Sequence, residues 1–363
     1  MWRIIRPDSV RVFKDENVLR KLSRYINVSK NEKSAKFRIA RSLRAKYAQN
    51  DSIDSLWTLH KRLTTDYYRM EKEIDDGLSD IKSNDSSENS YLDLKIKLAE
   101  SLLRKCSFCV RRCGVDRSIG ELGWCKSGRQ FSVSTFFPHM GEEPELTPSG
   151  TIFTVSCNLS CLHCQNWSIS QRYEKGKKIT PEAMAKEVDK LRLSGCNNVN
   201  LVGGDPTPWL HQWLETFNFV NTNVPVIWNS NSYYSEETAD LLSGFIDVYL
   251  LDFKYGNNEC AERISFAPKY WEACTRNHLM ADKYGELIVR LLVLPGHLEC
   301  CLQPILNWIT SNLGVDVRIN LMWQYRPEWR ANEIPELTRR LSHEEMQQSL
   351  QMAKKAGLTN FIT

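Results

Sequence analysis

The run Thr151-Ile152-Phe153-Thr154-Val155-Ser156-Cys157-Asn158-Leu159-Ser160-Cys161-Leu162-His163-Cys164 joins an apolar, β-branched segment directly to three cysteines spaced C-x3-C-x2-C. Its first half has the composition of a buried strand. Its second half puts three thiols on one short loop. Three such donors do not complete a tetrahedral zinc site, which takes four. They do hold three corners of a 4Fe–4S cube and leave the fourth iron open to a non-protein ligand. Zinc-bound or unrelated cysteines are the alternative.

Outward from this loop, apolar runs recur at residues 151–155, 198–202, 224–228, 248–251, 287–294 and 315–321. Helical periodicity fills the intervals at 181–193, 209–220, 235–244, 270–284 and 299–312, and a last helix is expected at 343–355. Six strand-then-helix units predict a parallel α/β sheet, either an open barrel or a doubly wound layer. Reactive residues then belong at the C-terminal strand ends. Residues 15–76 read mainly as helices, clearest at 52–67. Residues 75–90 read as a polar, acidic linker, and 91–105 as a helix leading to more cysteines.

Those cysteines are Cys106, Cys109, Cys113 and Cys125, interleaved with Gly114, Gly120 and Gly123. Four donors within one short segment describe a closed site. A second 4Fe–4S cluster and a structural zinc both satisfy the chemistry; the single C-x2-C favours iron–sulfur, and a disulfide pair is the plainer alternative. Cys196, Cys260, Cys274, Cys300 and Cys301 read mostly as small buried hydrophobes, with substrate contact a second reading for the adjacent Cys300-Cys301. Trp323 and Trp329 are candidates for lining a substrate opening.

The chain has 363 residues, 12 cysteines and a net charge of +4, with 42% hydrophobic and 25% charged residues, which is ordinary globular composition. No apolar run reaches membrane-spanning length, and the charged start Met1-Trp2-Arg3-Ile4-Ile5-Arg6 is unlike a signal peptide, so a cytoplasmic protein without membrane contact is expected. In a reducing compartment clustered cysteines point to metals rather than disulfides. Charge is uneven: the first 50 residues carry 14 Lys or Arg against 4 Asp or Glu. Residues 33–46 read as one basic helix, either a surface facing nucleic acid such as RNA or an acidic protein surface, or a solvated helix packed through Phe37, Ile39, Leu43 and Tyr47.

The C-x3-C-x2-C loop resembles the signature of radical S-adenosylmethionine (SAM) enzymes. The wider stretch through Cys164-Gln165-Asn166-Trp167-Ser168-Ile169-Ser170-Gln171 is similar to the uncharacterised homologues of pyruvate formate-lyase activating enzyme. The resemblance covers roughly residues 104–358. Further motifs occur in order: His139-Met140-Gly141-Glu142-Glu143-Pro144, Gly203-Gly204-Asp205-Pro206, Asp252-Phe253-Lys254-Tyr255, Arg290 to Gly296, and Gln324-Tyr325-Arg326-Pro327. Ser156 stands where glycine is common in these homologues, Asp205 where glutamate is more usual, and Leu291 where histidine is frequent.

The resemblance implies a partial (β/α)6 barrel over residues 150–325; the residues themselves read as a helical extension at 1–90, a four-cysteine metal subdomain at 91–149 and a C-terminal helix at 326–363. It implies a cluster on Cys157, Cys161 and Cys164 whose open iron binds SAM. One-electron reduction then yields a 5′-deoxyadenosyl radical that abstracts hydrogen from a substrate. The Gly203-Gly204 turn is assigned to the methionine amino group and Asp205 to its ammonium. Lys254 and Arg290 supply cations for the carboxylate. Asn229, Ser230, Asn231 and Asp252 suit the ribose hydroxyls, and His163 lies against the adenine. A protein substrate is expected, as in activating a glycyl-radical enzyme, with flavodoxin or ferredoxin as reductant. RNA or a small molecule is the alternative substrate, and an iron–sulfur electron carrier the non-enzymatic alternative.

Overall fold

Nine strands form one sheet among the described residues: β1 (Ser132–His139), β2 (Ser149–Thr154), β3 (Lys177–Lys178), β4 (Asn198–Gly203), β5 (Val226–Ser230), β6 (Val248–Asp252), β7 (Glu286–Leu292), β8 (Arg318–Met322) and β9 (Phe361–Ile362). The structure is a computed structural model and describes residues 6–81, 89–174 and 176–362. The expectations placed on Met1–Ile5 and on linker residues 82–88 lie outside the described residues.

Strands β2, β4, β5, β6, β7 and β8 are parallel neighbours in that order, which is the six-stranded partial barrel. On one edge β1 pairs antiparallel with β2, and on the other β9 adds in parallel to β8. Crossover helices Pro181–Leu193, Leu210–Phe219, Glu236–Leu242, Tyr270–Tyr284 and Gln303–Asn312 cover the outer face. Their start signals are ordinary: the Thr180 hydroxyl accepts from the Ala183 N–H at 3.3 Å, and Pro181 occupies a first-turn position that needs no donor.

The strand interior is filled from below. Ile227, Val248, Leu250 and Ile288 pack in one cluster with Leu146 and with Val12, Val18, Leu22, Tyr25 and Ile26. The N-terminal helices Glu16–Lys21 and Ser23–Ser29 therefore close the N-terminal mouth of the barrel. Helix Ile53–Asp75 and helix Tyr91–Arg104 pack on the barrel flank, with Leu56, Leu63, Tyr67 and Leu98 buried in the main core.

The basic segment departs from expectation. Helix spans only Lys36–Ser42; beyond it Leu43 C=O accepts from Tyr91 N–H at 2.7 Å and Ala45 N–H donates to Asn89 C=O at 2.8 Å, so the chain leaves the helix to pair with the next segment. Much of the positive charge is also used internally. Arg24 pairs with Glu71, Asp75 and Asp247, Lys36 with Glu71, and Lys33 with Asp75.

Other differences are local. The expected helix at 299–312 opens with a π turn, Leu298–Leu302, before Gln303–Asn312. The strand expected at 315–321 starts at Arg318. The strand β1 and the helix Asn258–Ser265 were not anticipated.

Candidate active site

Strand alternation places the polar candidates. Ile227, Val248, Leu250 and Ile288 face the interior, so Asn229, Asp252 and Arg290, two residues further along their strands, face the same way nearer the C-terminal end. Asp252, Arg290, Asn229, Gly203, Gly204, Asp205, Ser230, Asn231 and Lys254 all line one cleft with Cys157, Cys161, His163 and Cys164. Every cofactor-contact candidate from the sequence is thus gathered at one mouth. Gln165, Asn166, Met322, Gln324 and Tyr325 also line it, the last two from the Gln324-Tyr325-Arg326-Pro327 motif. Trp323 and Trp329 do not. Trp323 Nε1 donates to Ser349 Oγ at 2.9 Å, and Trp329 stacks on Trp167 with centroids 4.8 Å apart.

The three-cysteine loop is held from several sides. Ser160 and Leu162 N–H groups donate to Ser265 and Ile264 C=O at 3.2 and 2.9 Å, tying the loop to helix Asn258–Ser265. Leu159 N–H and Asn231 Nδ2 point at Cys157 Sγ, at 3.4 and 3.5 Å. Burial pushes the Cys157 thiol up, and burial followed by the neighbouring Cys164 pushes Cys161 up to about 11. These thiolates are therefore unstable alone and need a cationic partner, which bound iron supplies. A multi-iron cluster takes such thiolates one to each of three irons.

Gly203 and Gly204 serve the chain itself. Gly203 has φ +144°, and a Cβ there would lie 2.3 Å from Thr154 O; on Gly204 it would lie 2.1 Å from Ser156 O. The pair lets β4 run against β2 and the cysteine loop, whereas the sequence reading reserved the space for a ligand. Asp205 closes the same corner. Its carboxylate accepts from Thr207 N–H at 2.9 Å, Ser230 Oγ at 2.9 Å and Asn231 N–H at 2.8 Å.

The two cations of the cleft are differently engaged. Lys254 Nζ donates to Asp252 Oδ2 at 2.5 Å. Arg290 meets two carboxylates rising from the β1–β2 connection, Glu143 through Nε at 2.7 Å and Glu142 through Nη2 at 2.5 Å, and donates from Nη1 to Asn229 Oδ1 at 3.0 Å. His163 is buried; Nε2 lies 3.1 Å from Tyr255 Oη, and burial, then Lys254, brings the imidazole down to about 3, so it is neutral.

The second cysteine group sits beside this loop. Cys106, Cys109 and Cys125 are buried and Cys113 is exposed. Trp124 N–H approaches Cys113 Sγ at 3.4 Å. Arg111, between Cys109 and Cys113, donates from Nε to Asn158 C=O at 2.6 Å, linking the two cysteine segments directly.

A parallel partial barrel with three loop thiols and polar strand ends around one cleft is the architecture of a SAM-cleaving iron–sulfur enzyme, and the chain belongs to the radical SAM superfamily. The family model described as "Radical SAM superfamily" matches residues 151–309. The uncharacterized protein MJ0674 of Methanocaldococcus jannaschii is 42% identical over 345 residues, covering 93% of this chain and 98% of that one. A second uncharacterized protein of that organism, MJ0808, is 22% identical over 279 residues, covering 69% of this chain and 80% of that one. Among solved structures, Streptococcus suis SuiB bound to S-adenosylmethionine aligns loosely, with a TM-score of 0.40 at 12% identity over 58% of this chain and 48% of that chain. The family implies a 4Fe–4S cluster and SAM. No helix among the described residues is long and apolar enough to cross a membrane.

Proposed function

We propose that Cys157, Cys161 and Cys164 hold the 4Fe–4S cluster of this radical SAM enzyme and that SAM lies across the strand ends from Gly203 to Arg290. The observation that carries this reading is the convergence of all these residues on one cleft at the C-terminal mouth of the barrel. When bound, the cluster supplies the electron that cleaves SAM and so generates the hydrogen-abstracting 5′-deoxyadenosyl radical.

The chain's residues position and shield. Lys254 is balanced by one carboxylate while Arg290 faces two, so the surroundings of Lys254 are the less negative and better receive the SAM carboxylate. Arg290 then acts by holding Asn229 toward the ribose. Neutral His163 presents an uncharged ring to the adenine. Cys106, Cys109, Cys113 and Cys125 form an auxiliary metal site, for which the single C-x2-C spacing favours an iron–sulfur cluster over zinc, and Arg111 links it to the catalytic loop.

The substrate we infer is a polypeptide, as for an activating enzyme. Asn166 lines the cleft, and next to it Trp167 and Trp329 stack with Arg172 over both rings, at 4.5 and 5.1 Å. A half-buried aromatic and cationic surface of this kind suits a protein segment. The RNA reading loses some support, because Arg24, Lys33 and Lys36 among the basic N-terminal residues it relied on are engaged in internal ion pairs.

Anaerobic reconstitution with iron and sulfide, followed by reduction in the presence of a deuterated candidate protein, tests both levels. Deuterium in 5′-deoxyadenosine supports the polypeptide substrate. Deuterium arriving only from labelled tRNA overturns it. Cys161→Ala is expected to abolish SAM cleavage entirely.

A further inference from the structure

Away from the cleft, two segments that share no sequence motif meet edge to edge. One precedes and begins helix Asn258–Ser265; the other is the loop after β7 and its π turn, Leu298–Leu302. A Cβ on Gly256 would lie 2.5 Å from Cys301 O, so the backbones touch there. Asn257 fastens the junction: Oδ1 accepts from Cys260 N–H at 2.8 Å, and Nδ2 donates to Cys300 C=O at 2.7 Å.

Four donor atoms converge at this junction. Cys260 Sγ, His297 Nδ1, Cys300 Sγ and Cys301 Sγ all lie within 4.8 Å of one another. Five of the six separations are defined more closely. Cys260–His297 is 3.7 Å, Cys260–Cys300 3.9 Å, His297–Cys300 3.2 Å, Cys300–Cys301 3.9 Å and Cys301–His297 3.8 Å. Zinc bonds of about 2.3 Å to sulfur and about 2.0 Å to nitrogen give tetrahedron edges of roughly 3.8 Å for S···S and roughly 3.5 Å for S···N. The five defined edges match such a tetrahedron to within about 0.3 Å, and the sixth, Cys260–Cys301, is under 4.8 Å.

The surroundings fit a ligand set better than a group of packed thiols. Glu336 Oε1 lies 3.3 Å from His297 Nε2 and is itself bound by Arg263 Nη2 at 2.5 Å, so a carboxylate backs the imidazole on the side away from the thiols. The wider π turn reduces the angle between successive side chains, which lets adjacent Cys300 and Cys301 face one point. The sulfurs are too far apart to be a disulfide, whose bond is about 2.05 Å.

We propose that Cys260, His297, Cys300 and Cys301 form a closed, structural Cys3His site for a thiophilic divalent cation, zinc foremost, independent of the cluster in the cleft. It pins the segment after β6, which carries Lys254 and Tyr255 into the site, to the segment after β7.

The test uses the full chain purified anaerobically. Zinc X-ray absorption and metal counting are expected to show one equivalent lost in Cys260→Ser and in Cys301→Ser, and retained in His297→Cys with an additional sulfur ligand. In the wild type, Cys300 is expected to alkylate about tenfold faster once a chelator has removed the metal, because a bound thiolate is a poor nucleophile. Comparison with wild type isolates this site from any metal at Cys106–Cys125. Equal zinc in wild type and Cys260→Ser, or Cys300 alkylation indifferent to chelation in the wild type, overturns the proposal.

Discussion

Gly204 sets how closely the three-cysteine loop lies on β4. Its missing Cβ is the space occupied by Ser156 O, 2.1 Å from where that carbon would sit. In Gly204→Ala the loop must move, and overpacking of a rigid backbone contact costs about 1–3 kcal/mol. A lowered denaturation midpoint together with reduced iron retention is expected; a variant with wild-type stability and iron content contradicts the contact. Ser156 has φ +85°, in the left-handed region where a β-carbon is strained. The family resemblance put a glycine at that position without saying what it is for. A glycine pair also announces a close approach without naming the partner, and here the partner is the neighbouring strand. The cysteines were legible because their spacing alone restricts the chemistry. The metal tetrahedron at Cys260, His297, Cys300 and Cys301 was not, because Cys260 comes from a different segment; only the His297-x2-Cys300-Cys301 spacing signalled it.

Elements with a strong period were read closely. Helices Pro181–Leu193, Tyr270–Tyr284 and His343–Lys355 have the limits their apolar spacing predicts. Strand β1 was missed because its exposed Phe137 and Pro138 break the alternation. The helix Asn258–Ser265 was missed because eight residues give a period too few turns to show. At this scale Arg318 on β8 carries a test. Its Nε donates to Glu145 Oε1 at 2.8 Å, and Glu145 is fully buried, its carboxyl raised by burial even with Arg318 opposing. Arg318→Met leaves that carboxyl unpaired and is expected to cost about 3–5 kcal/mol in urea unfolding, while pairing it with Glu145→Leu recovers most of the loss. Equal stabilities for the single variant and the wild type contradict the plug between the β1–β2 connection and the barrel floor.

Over the whole molecule, helices Glu16–Lys21 and Ser23–Ser29 close the N-terminal mouth of the barrel, a packing role that charge counting alone does not reveal. Acid should loosen this assembly. Burial brings His211 down to about 3 and His278 to about 4, against an ordinary value near 6.5 in the unfolded chain. The unfolded chain therefore binds protons that the folded chain refuses. Stability is complete above about pH 6.5 and falls as pH drops toward 4, by up to about 1.4 kcal/mol per unit per histidine. Melting temperatures measured from pH 7 to 5 are expected to fall, and less steeply in His278→Gln; identical slopes contradict the neutral buried ring.

The most direct measurement of the central claim is the reduced, iron-loaded protein incubated with SAM and assayed for 5′-deoxyadenosine and methionine. The account predicts both products from the wild type and neither from Cys157→Ala, Cys161→Ala or Cys164→Ala. Full turnover in any of those three variants, or none in a wild type that carries its clusters, contradicts it.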